Sequence, residues 1–334
     1  MIILLIVLSF FLLLITNFIS LKLNLLDYPN FRKTHSVAVP FTGGVAISIV
    51  FLFIIFLYDF EQQYLNLILI YCFLISIIGL IDDIYKLNVG GKLCLQGIPV
   101  ILLIYESNLY LTDLGEYFYI GIIELGSFSK LFTIFCIFLI INAANYHDGV
   151  DGSLSMIVLT SIFGLLLYKE SLDKEFVEFL IVITIPILIF VLFNFSMFGL
   201  PKIFLGDSGS LMLGFLISFL LISISINYNI HPINLAWFVG FFVFEFLTVN
   251  INRVINRKNI FKAGKDHLHY LLLKINKSLI KTNFIIFSIS FFIILSGYII
   301  GLQKNYTLSA LIFLLYFVTY YKISSYLKNI SNAR

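Results

Sequence analysis

The sequence predicts an all-α, polytopic integral membrane protein forming one domain over residues 1–334, and three observations lead there. Apolar residues make up 60% of the 334-residue chain and charged residues 12%, against roughly 45–50% and about 25% in water-soluble domains. Apolar runs recur from end to end, each long enough to cross about 30 Å of hydrocarbon as a helix. The basic residues fall on alternate loops, as the positive-inside rule requires of a cytoplasmic set.

About eleven spans follow in order. The first, 2–20, has no Lys or Arg before Lys22; it lacks the basic segment of a secretory signal and reads as a retained anchor with its N-terminus outside. Span 43–58 opens on the pair Gly43–Gly44, and span 66–81 runs straight into Asp82 and Asp83. Span 93–108 follows Lys92 and leads into the acidic segment 106–128, for which a solvated external loop is expected in preference to a short hairpin. Span 129–146 ends near Asp148 and Asp151, and spans 154–168 and 176–194 follow. Span 209–226 starts just after Asp207, 232–252 leads into the longest polar loop, and 282–300 and 306–321 complete the set.

With the N-terminus outside, 17 of the 21 basic residues face the cytoplasm, all but Lys130, Lys169, Lys174 and Lys304. The net charge of +3 reflects this asymmetry and is no footprint for nucleic acid. Cys72, Cys94 and Cys136 lie on apolar segments with neither disulfide nor zinc spacing.

The same orientation puts the polar motifs on one face: Asp82 and Asp83, Asp148 and Asp151, Asp207, and Asp266 with His267 and His269. A single Asp at a helix end is ordinarily a solvated cap. Six carboxylates from separate segments at one interface are candidates for function, because charge near a bilayer is costly. Asp82 and Lys86 stand at i,i+4 and are expected to pair, which leaves Asp83 free for chemistry. Asn142, Asn145, Asp148 and Asp151 step by three along one helix face until Gly149 and Gly152 loosen the backbone. In FLGDSGS a carboxylate flanked by glycines opens a helix, whose N-terminus favours phosphate. His267 and His269, at i,i+2, are expected on opposite helix faces, a poor arrangement for one metal. Hard oxygen ligands beside phosphate suit Mg²⁺, with Mn²⁺ as a substitute.

Five motifs then carry a resemblance: DYPNFRKTHSVAVPFTGGVAI, GLIDDIYKLNVGGKLCLQ, NAANYHDGVDG, Asn194 with KIFLGDSGSLMLGF, and KAGKDHLHYLL. In this order they resemble the polyprenyl-phosphate N-acetylhexosamine-1-phosphate transferase family, related to phospho-MurNAc-pentapeptide translocase. The resemblance implies a single membrane transferase domain in a bacterial plasma membrane, with its site open to the cytoplasm. It implies transfer of a sugar 1-phosphate from a UDP-sugar, UDP-GlcNAc or a related UDP-N-acetylhexosamine, to undecaprenyl or another polyprenyl phosphate. The products are UMP and a polyprenyl-diphosphate sugar that initiates O-antigen, capsule or another envelope glycan. Membrane lipids and a second copy of the chain are further candidate partners.

Residue by residue, the resemblance makes Asp207 the magnesium ligand and Phe204 the ring that stacks on uracil. Asp151 matches a uracil-side contact, and Asn145, Asp148 and Asn194 match residues lining the nucleotide-sugar pocket. Lys92 meets phosphate, His267 and His269 lie near the diphosphate or sugar, and Asp82 and Asp83 position substrate beside magnesium. Arg32 and Lys33 are candidates for the lipid phosphate, beside the alternative that a basic loop simply attracts anionic lipid. Glu245 stands where many members have Asp, and His147, Ser153, Gly264 and Tyr270 also depart from the pattern, which leaves the choice of sugar open. A cation-coupled transporter, an intramembrane prenyltransferase, a CDP-alcohol phosphotransferase and a non-catalytic lipid-binding scaffold are the rival readings. A transporter would tend to place its carboxylates at mid-membrane and to show an internal repeat, neither of which is visible here.

Overall fold

The computed structural model describes residues 1–29, 37–259, 264 and 266–333. In chain order these form α1 (Ile2–Leu23), β1 (Leu26–Asp27), β2 (Val39–Pro40), α2 (Gly43–Tyr58), α3 (Gln63–Tyr85) and α4 (Val89–Ser107). There follow β3 (Asp113–Tyr117), β4 (Gly121–Glu124), α5 (Ser129–His147), α6 (Ser153–Leu165), α7 (Lys174–Asn194) and α8 (Gly206–Asn227). The last are α9 (Pro232–Ala236), α10 (Gly240–Ile255), α11 (Leu268–Asn276), α12 (Leu279–Leu302) and α13 (Tyr306–Ala333).

The protein is an all-α polytopic membrane protein. Among the described residues nine helical segments are long and apolar enough to cross a bilayer, and two shorter apolar helices, Gly43–Tyr58 and Ser153–Tyr168, fall on the second and sixth predicted spans.

The chain divides into two compact units that interleave in sequence. Unit one holds residues 1–108 and 173–216, and unit two holds 109–172 and 217–334, so α8 gives its first half to one and its remainder to the other. In unit one, α1 packs on α2 and α7, and α3 packs on α2 and α4. Ser20 of α1 shares a buried 2.7 Å hydrogen bond with Thr42, at the entry to α2. In unit two, α12 packs on α6, and α5 on α10. Trp237 is fully buried there, donates its indole N–H to Ser309 at 3.0 Å, and sits where any side chain on Gly297 would clash.

The expectation of a solvated loop over 106–128 is corrected. β3 and β4 form an antiparallel hairpin with Asp113 opposite Glu124 and Tyr117 opposite Gly121. Gly115 and Gly121 supply the positive φ angles of 89° and 78° that this hairpin demands. Long-range anchors then hold it: Phe118 N–H donates to Thr307 at 2.7 Å, and His231 Nε2 lies 3.2 Å from the Glu116 carbonyl. Those partners are nearly two hundred and over one hundred residues away, which is why local polarity misreads the segment.

Candidate active site

In unit one the site is built where four helix ends meet. α3 stops at Tyr85 because Lys86 turns left-handed, with φ 51°, and its N–H returns to the Asp82 carbonyl. The expected Asp82–Lys86 pair therefore does not form: the helical path that i,i+4 pairing needs has ended. Asp82 accepts the Leu87 N–H at 2.9 Å through one oxygen and binds Lys92 Nζ at 2.6 Å through the other. Lys92 stands on the first turn of α4, whose start is capped by the Asn88 side chain accepting Gly91 N–H at 2.8 Å. The same ammonium reaches Asp207, on the first turn of α8, also at 2.6 Å.

Asp83 faces the same helix start. Its carboxylate lies 3.4 Å from the Ser208 N–H, and it would collide with any β-carbon placed on Gly206. Both aspartates thus meet the Gly206–Ser208 turn, although adjacent helical residues point about 100° apart. They do so because Asp82 reaches it through Lys92, while Asp83 reaches it directly.

The glycines of the motif let backbones touch. A β-carbon on Gly44 would lie 2.0 Å from Gly209 N, and one on Gly79 would lie 2.4 Å from the Asp207 carbonyl. Gly206 has φ 72°, a conformation side chains resist. Gly43 and Gly44, at the start of α2, donate their N–H groups to the carbonyls of Phe204 and Leu205 at 3.0 and 2.9 Å, and Phe204 N–H donates to Pro40 at 2.7 Å. Lys202 lies over the Phe204 ring, 5.3 Å from its centroid. Asn194 donates its amide to the Ile203 carbonyl at 2.9 Å, while its buried amide oxygen has no hydrogen-bond partner among the described residues.

Among the described residues, three carboxyl groups gather around the Lys92 ammonium beside a helix N-terminus. Among the described residues no group of three or more His, Cys, Asp or Glu side chains forms a ready-made metal cage. Magnesium does not need one: it takes one or two carboxylates and completes its shell with waters and phosphate oxygens. The hard-oxygen set Asp82, Asp83 and Asp207 fits that ion.

In unit two, Asp148 ends α5 and Asp151 follows in the turn before α6. Asn283 on α12 donates to the Asp151 carbonyl at 2.7 Å, and Gly149 is pressed against Tyr270 and His269, so α11 packs directly on this turn. Asn145, Asp148 and Asp151 are all partly exposed, as an accessible stripe should be. Burial first, then the nearby Asp148 charge, raises the Tyr270 pKa.

His267 and His269 do not take opposite faces of a helix. α11 begins only at Leu268, and His267 precedes it in extended conformation, so the two rings lie parallel with centroids 5.6 Å apart and an interplanar angle of 3°. His147, at the end of α5, joins them 5.8 Å from His269. Burial, then the neighbouring His147 and His267, pushes the His269 pKa well below its ordinary 6.5. Asp266 accepts from two Arg253 nitrogens, Nη2 at 2.7 Å and Nε at 3.0 Å. Burial alone would raise its pKa, but these Arg253 contacts prevail and lower it.

Arg32 and Lys33 lie outside the described residues. The residues that sequence reasoning passed over as partners are His147, Glu245, Arg253 and Tyr320. The available signal was Glu245 itself, a carboxylate inside an apolar span.

The family model described as Glycosyl transferase family 4 matches residues 65–225, which include every site residue named above from Asp82 to Asp207. The undecaprenyl-phosphate alpha-N-acetylglucosaminyl 1-phosphate transferase of Pasteurella multocida (strain Pm70) is 31% identical over 275 residues, spanning 80% of this chain and 76% of the relative. The proteins of the same name from Yersinia pestis and Salmonella typhi are 27% and 26% identical over 262 residues, spanning 77% of this chain and 71% of each relative. On that similarity, the chain belongs to glycosyl transferase family 4.

Proposed function

We propose that this membrane enzyme transfers an N-acetylhexosamine 1-phosphate from a UDP-N-acetylhexosamine to undecaprenyl or another polyprenyl phosphate, releasing UMP. The relatives' names, each specifying undecaprenyl phosphate and an N-acetylglucosaminyl 1-phosphate, support the reaction class. The observation that carries the chemistry is the Lys92 ammonium held 2.6 Å from both Asp82 and Asp207, with Asp83 beside the α8 N-terminus.

The reaction is a phosphoryl transfer: a lipid phosphate oxygen bonds to the β-phosphorus as the bond from that phosphorus to UMP breaks. Such transfers ask a protein for alignment and charge neutralisation more than for covalent chemistry. Lipid phosphate, with a second pKa near 6, is largely dianionic at neutral pH and attacks without surrendering a proton. Lys92 supplies fixed positive charge to the phosphates, and its two carboxylate partners restrict where its Nζ can sit. Asp83 positions the reacting phosphates at the α8 N-terminus, whose backbone N–H groups favour anions. Asp207, with Asp82 and Asp83 near it, would hold Mg²⁺, or Mn²⁺ in its place, and the ion would supply electrostatic stabilisation of the departing phosphate.

The basic-residue asymmetry supports a site on the cytoplasmic face with the N-terminus outside. In the same reading Asn194 and Phe204, within unit one, contact the nucleotide sugar. Arg32 and Lys33, in the basic loop after α1, meet the lipid phosphate.

The test is UMP release by purified protein given a panel of UDP-sugars, polyprenyl phosphate and Mg²⁺. Release with a UDP-N-acetylhexosamine, lost in Asp83→Asn, is expected. No release with any of them defeats the reading.

A further inference from the structure

Glu245 lies on α10, inside a segment apolar enough to span a membrane, and is 0% exposed. A lone carboxylate there needs compensation, because isolated buried charge is expensive. The ion pairs of the described residues give it no Lys or Arg; the imidazole nearest it is that of His267, whose Nδ1 lies 3.5 Å from Oε1. Oε1 also accepts the Leu268 N–H, the first of α11, at 2.7 Å, and Oε2 accepts the Tyr320 hydroxyl of α13 at 2.6 Å. Two hydrogen bonds, from α11 and α13, therefore fix this carboxylate; the Nδ1 edge of His267 stands before it, and His147 also lies within its electrostatic reach.

The surroundings of His267 leave Glu245 as the group that orients it. The Tyr146 ring of α5 lies 4.7 Å away, His269 is parallel at 5.6 Å, and Tyr270 is at 6.5 Å. Asp266, the next residue back, is engaged by Arg253 and still feels His267, and His147, 5.8 Å from His269, lies within electrostatic reach of both His267 and Glu245. His267 Nδ1 is enclosed and makes no hydrogen bond among the described residues; the Glu245 carboxylate at 3.5 Å is the acceptor it faces. At 3.5 Å the contact with Glu245 is longer than an ideal hydrogen bond, as is common before substrate tightens a catalytic arrangement.

We propose that Glu245 is a positioning residue for His267: its carboxylate holds the Nδ1 edge, sets which nitrogen carries the proton, and leaves Nε2 to work on the diphosphate or sugar of the bound nucleotide sugar. The same logic governs histidines oriented through their second nitrogen by a carboxylate. The inference rests on the transfer reaction proposed above. It goes beyond it by requiring the charge of Glu245, and not merely its shape, for His267 to function.

The charge requirement makes the test sharp, because Glu245→Gln preserves length and can still accept the Leu268 N–H. The full-length protein in lipid nanodiscs is compared with Glu245→Gln and Glu245→Asp, with unfolding temperature followed in each. Glu245→Gln is expected to lower kcat by about 10- to 100-fold, the range for removing a partner that orients a functional histidine. KM for the UDP-sugar should change little and the pH dependence of kcat should move, while Glu245→Asp, shorter but charged, should recover most of the loss.

Nitrogen-15 spectra of histidine-labelled protein, with His267 assigned by its loss in His267→Asn, supply a readout that needs no turnover. Wild type should carry a proton on Nδ1, and Glu245→Gln should shift that proton to Nε2. An unshifted tautomer in Glu245→Gln overturns the inference, as does wild-type kcat and pH profile in that variant, or a greater loss in Glu245→Asp than in Glu245→Gln. Absence of transfer by wild type with the expected tautomer change would instead strike the reaction while sparing the Glu245–His267 relationship.

Discussion

The ammonium of Lys92 lies 2.6 Å from a carboxylate oxygen of Asp207, and 2.6 Å from one of Asp82. One cation on the first turn of α4 thereby ties the end of α3 to the beginning of α8, and the three side chains are only partly exposed, at 16%, 29% and 9% for Lys92, Asp207 and Asp82. A pair so placed is weakly screened by solvent, and losing one member leaves the others uncompensated.

Lys92→Met keeps most of the volume and removes the charge. It is expected to abolish most turnover and to cost about 1–3 kcal/mol of stability, the range for stranding buried polar partners. Transfer assays and thermal unfolding of the same preparation check both. Full activity in Lys92→Met would remove Lys92 from the phosphate site.

Gly44→Ala acts on backbone geometry and leaves charge alone. Its β-carbon would stand 2.0 Å from Gly209 N and 2.2 Å from Gly209 Cα, and neither backbone atom can swing aside. A loss of at least about 1–3 kcal/mol is expected from this overpacking, with a lowered unfolding temperature and a displaced α8 N-terminus. Reduced activity that is not restored by cooling the assay would show the displacement.

Gly115→Ala tests the β3–β4 hairpin. Gly115 combines φ 89° with a contact in which a β-carbon would lie 2.0 Å from His231 Nε2. The substitution should loosen the hairpin from His231 and raise proteolytic cleavage within 109–128. Transfer activity of the intact protein is expected to persist, because no residue of this hairpin enters the proposed chemistry.

The pH dependence of stability follows from His269. Its pKa in the folded protein is depressed from an ordinary value of 6.5, so folding holds it neutral. The stability this contributes is complete above 6.5 and is lost as pH falls from there toward the folded value. Asp266 adds a loss of the same sign at lower pH, below its ordinary 3.8, because Arg253 depresses its pKa. Unfolding temperature should therefore decline as pH drops below 6.5, and His269→Asn should show a shallower decline over that range. An identical slope in the variant would assign the effect elsewhere.

Much of this molecule is legible in its sequence, for identifiable reasons. Apolar runs mark helices in a membrane protein because hydrocarbon leaves the backbone few other solutions, and each predicted span falls on helical structure, the 232–252 span on α9, a 3-10 turn and α10 in succession. Asp82, Asp83, Lys92 and Asp207 are legible as candidates because the basic-loop asymmetry puts their segments on one face and their motifs carry the family resemblance. The partner of Asp82 was not legible: Lys86 is nearer in sequence, but its left-handed backbone takes it off the helix, and Lys92 arrives by way of a new helix start. His267 and His269 were misjudged for a related reason, since α11 begins between them and helical spacing does not apply. Glu245 belongs to no local pattern, and its meaning emerges only when α11 and α13 bring Leu268 and Tyr320 to it.

The most direct test of the reaction follows the phosphorus atoms. UDP-N-acetylhexosamine labelled at the β-phosphorus, given to the purified protein with undecaprenyl phosphate and Mg²⁺, should pass its label into the extractable lipid while UMP is released unlabelled. Asp83→Asn should prevent the passage. Label retained on released UDP, or no label in lipid with any UDP-N-acetylhexosamine, would contradict sugar 1-phosphate transfer.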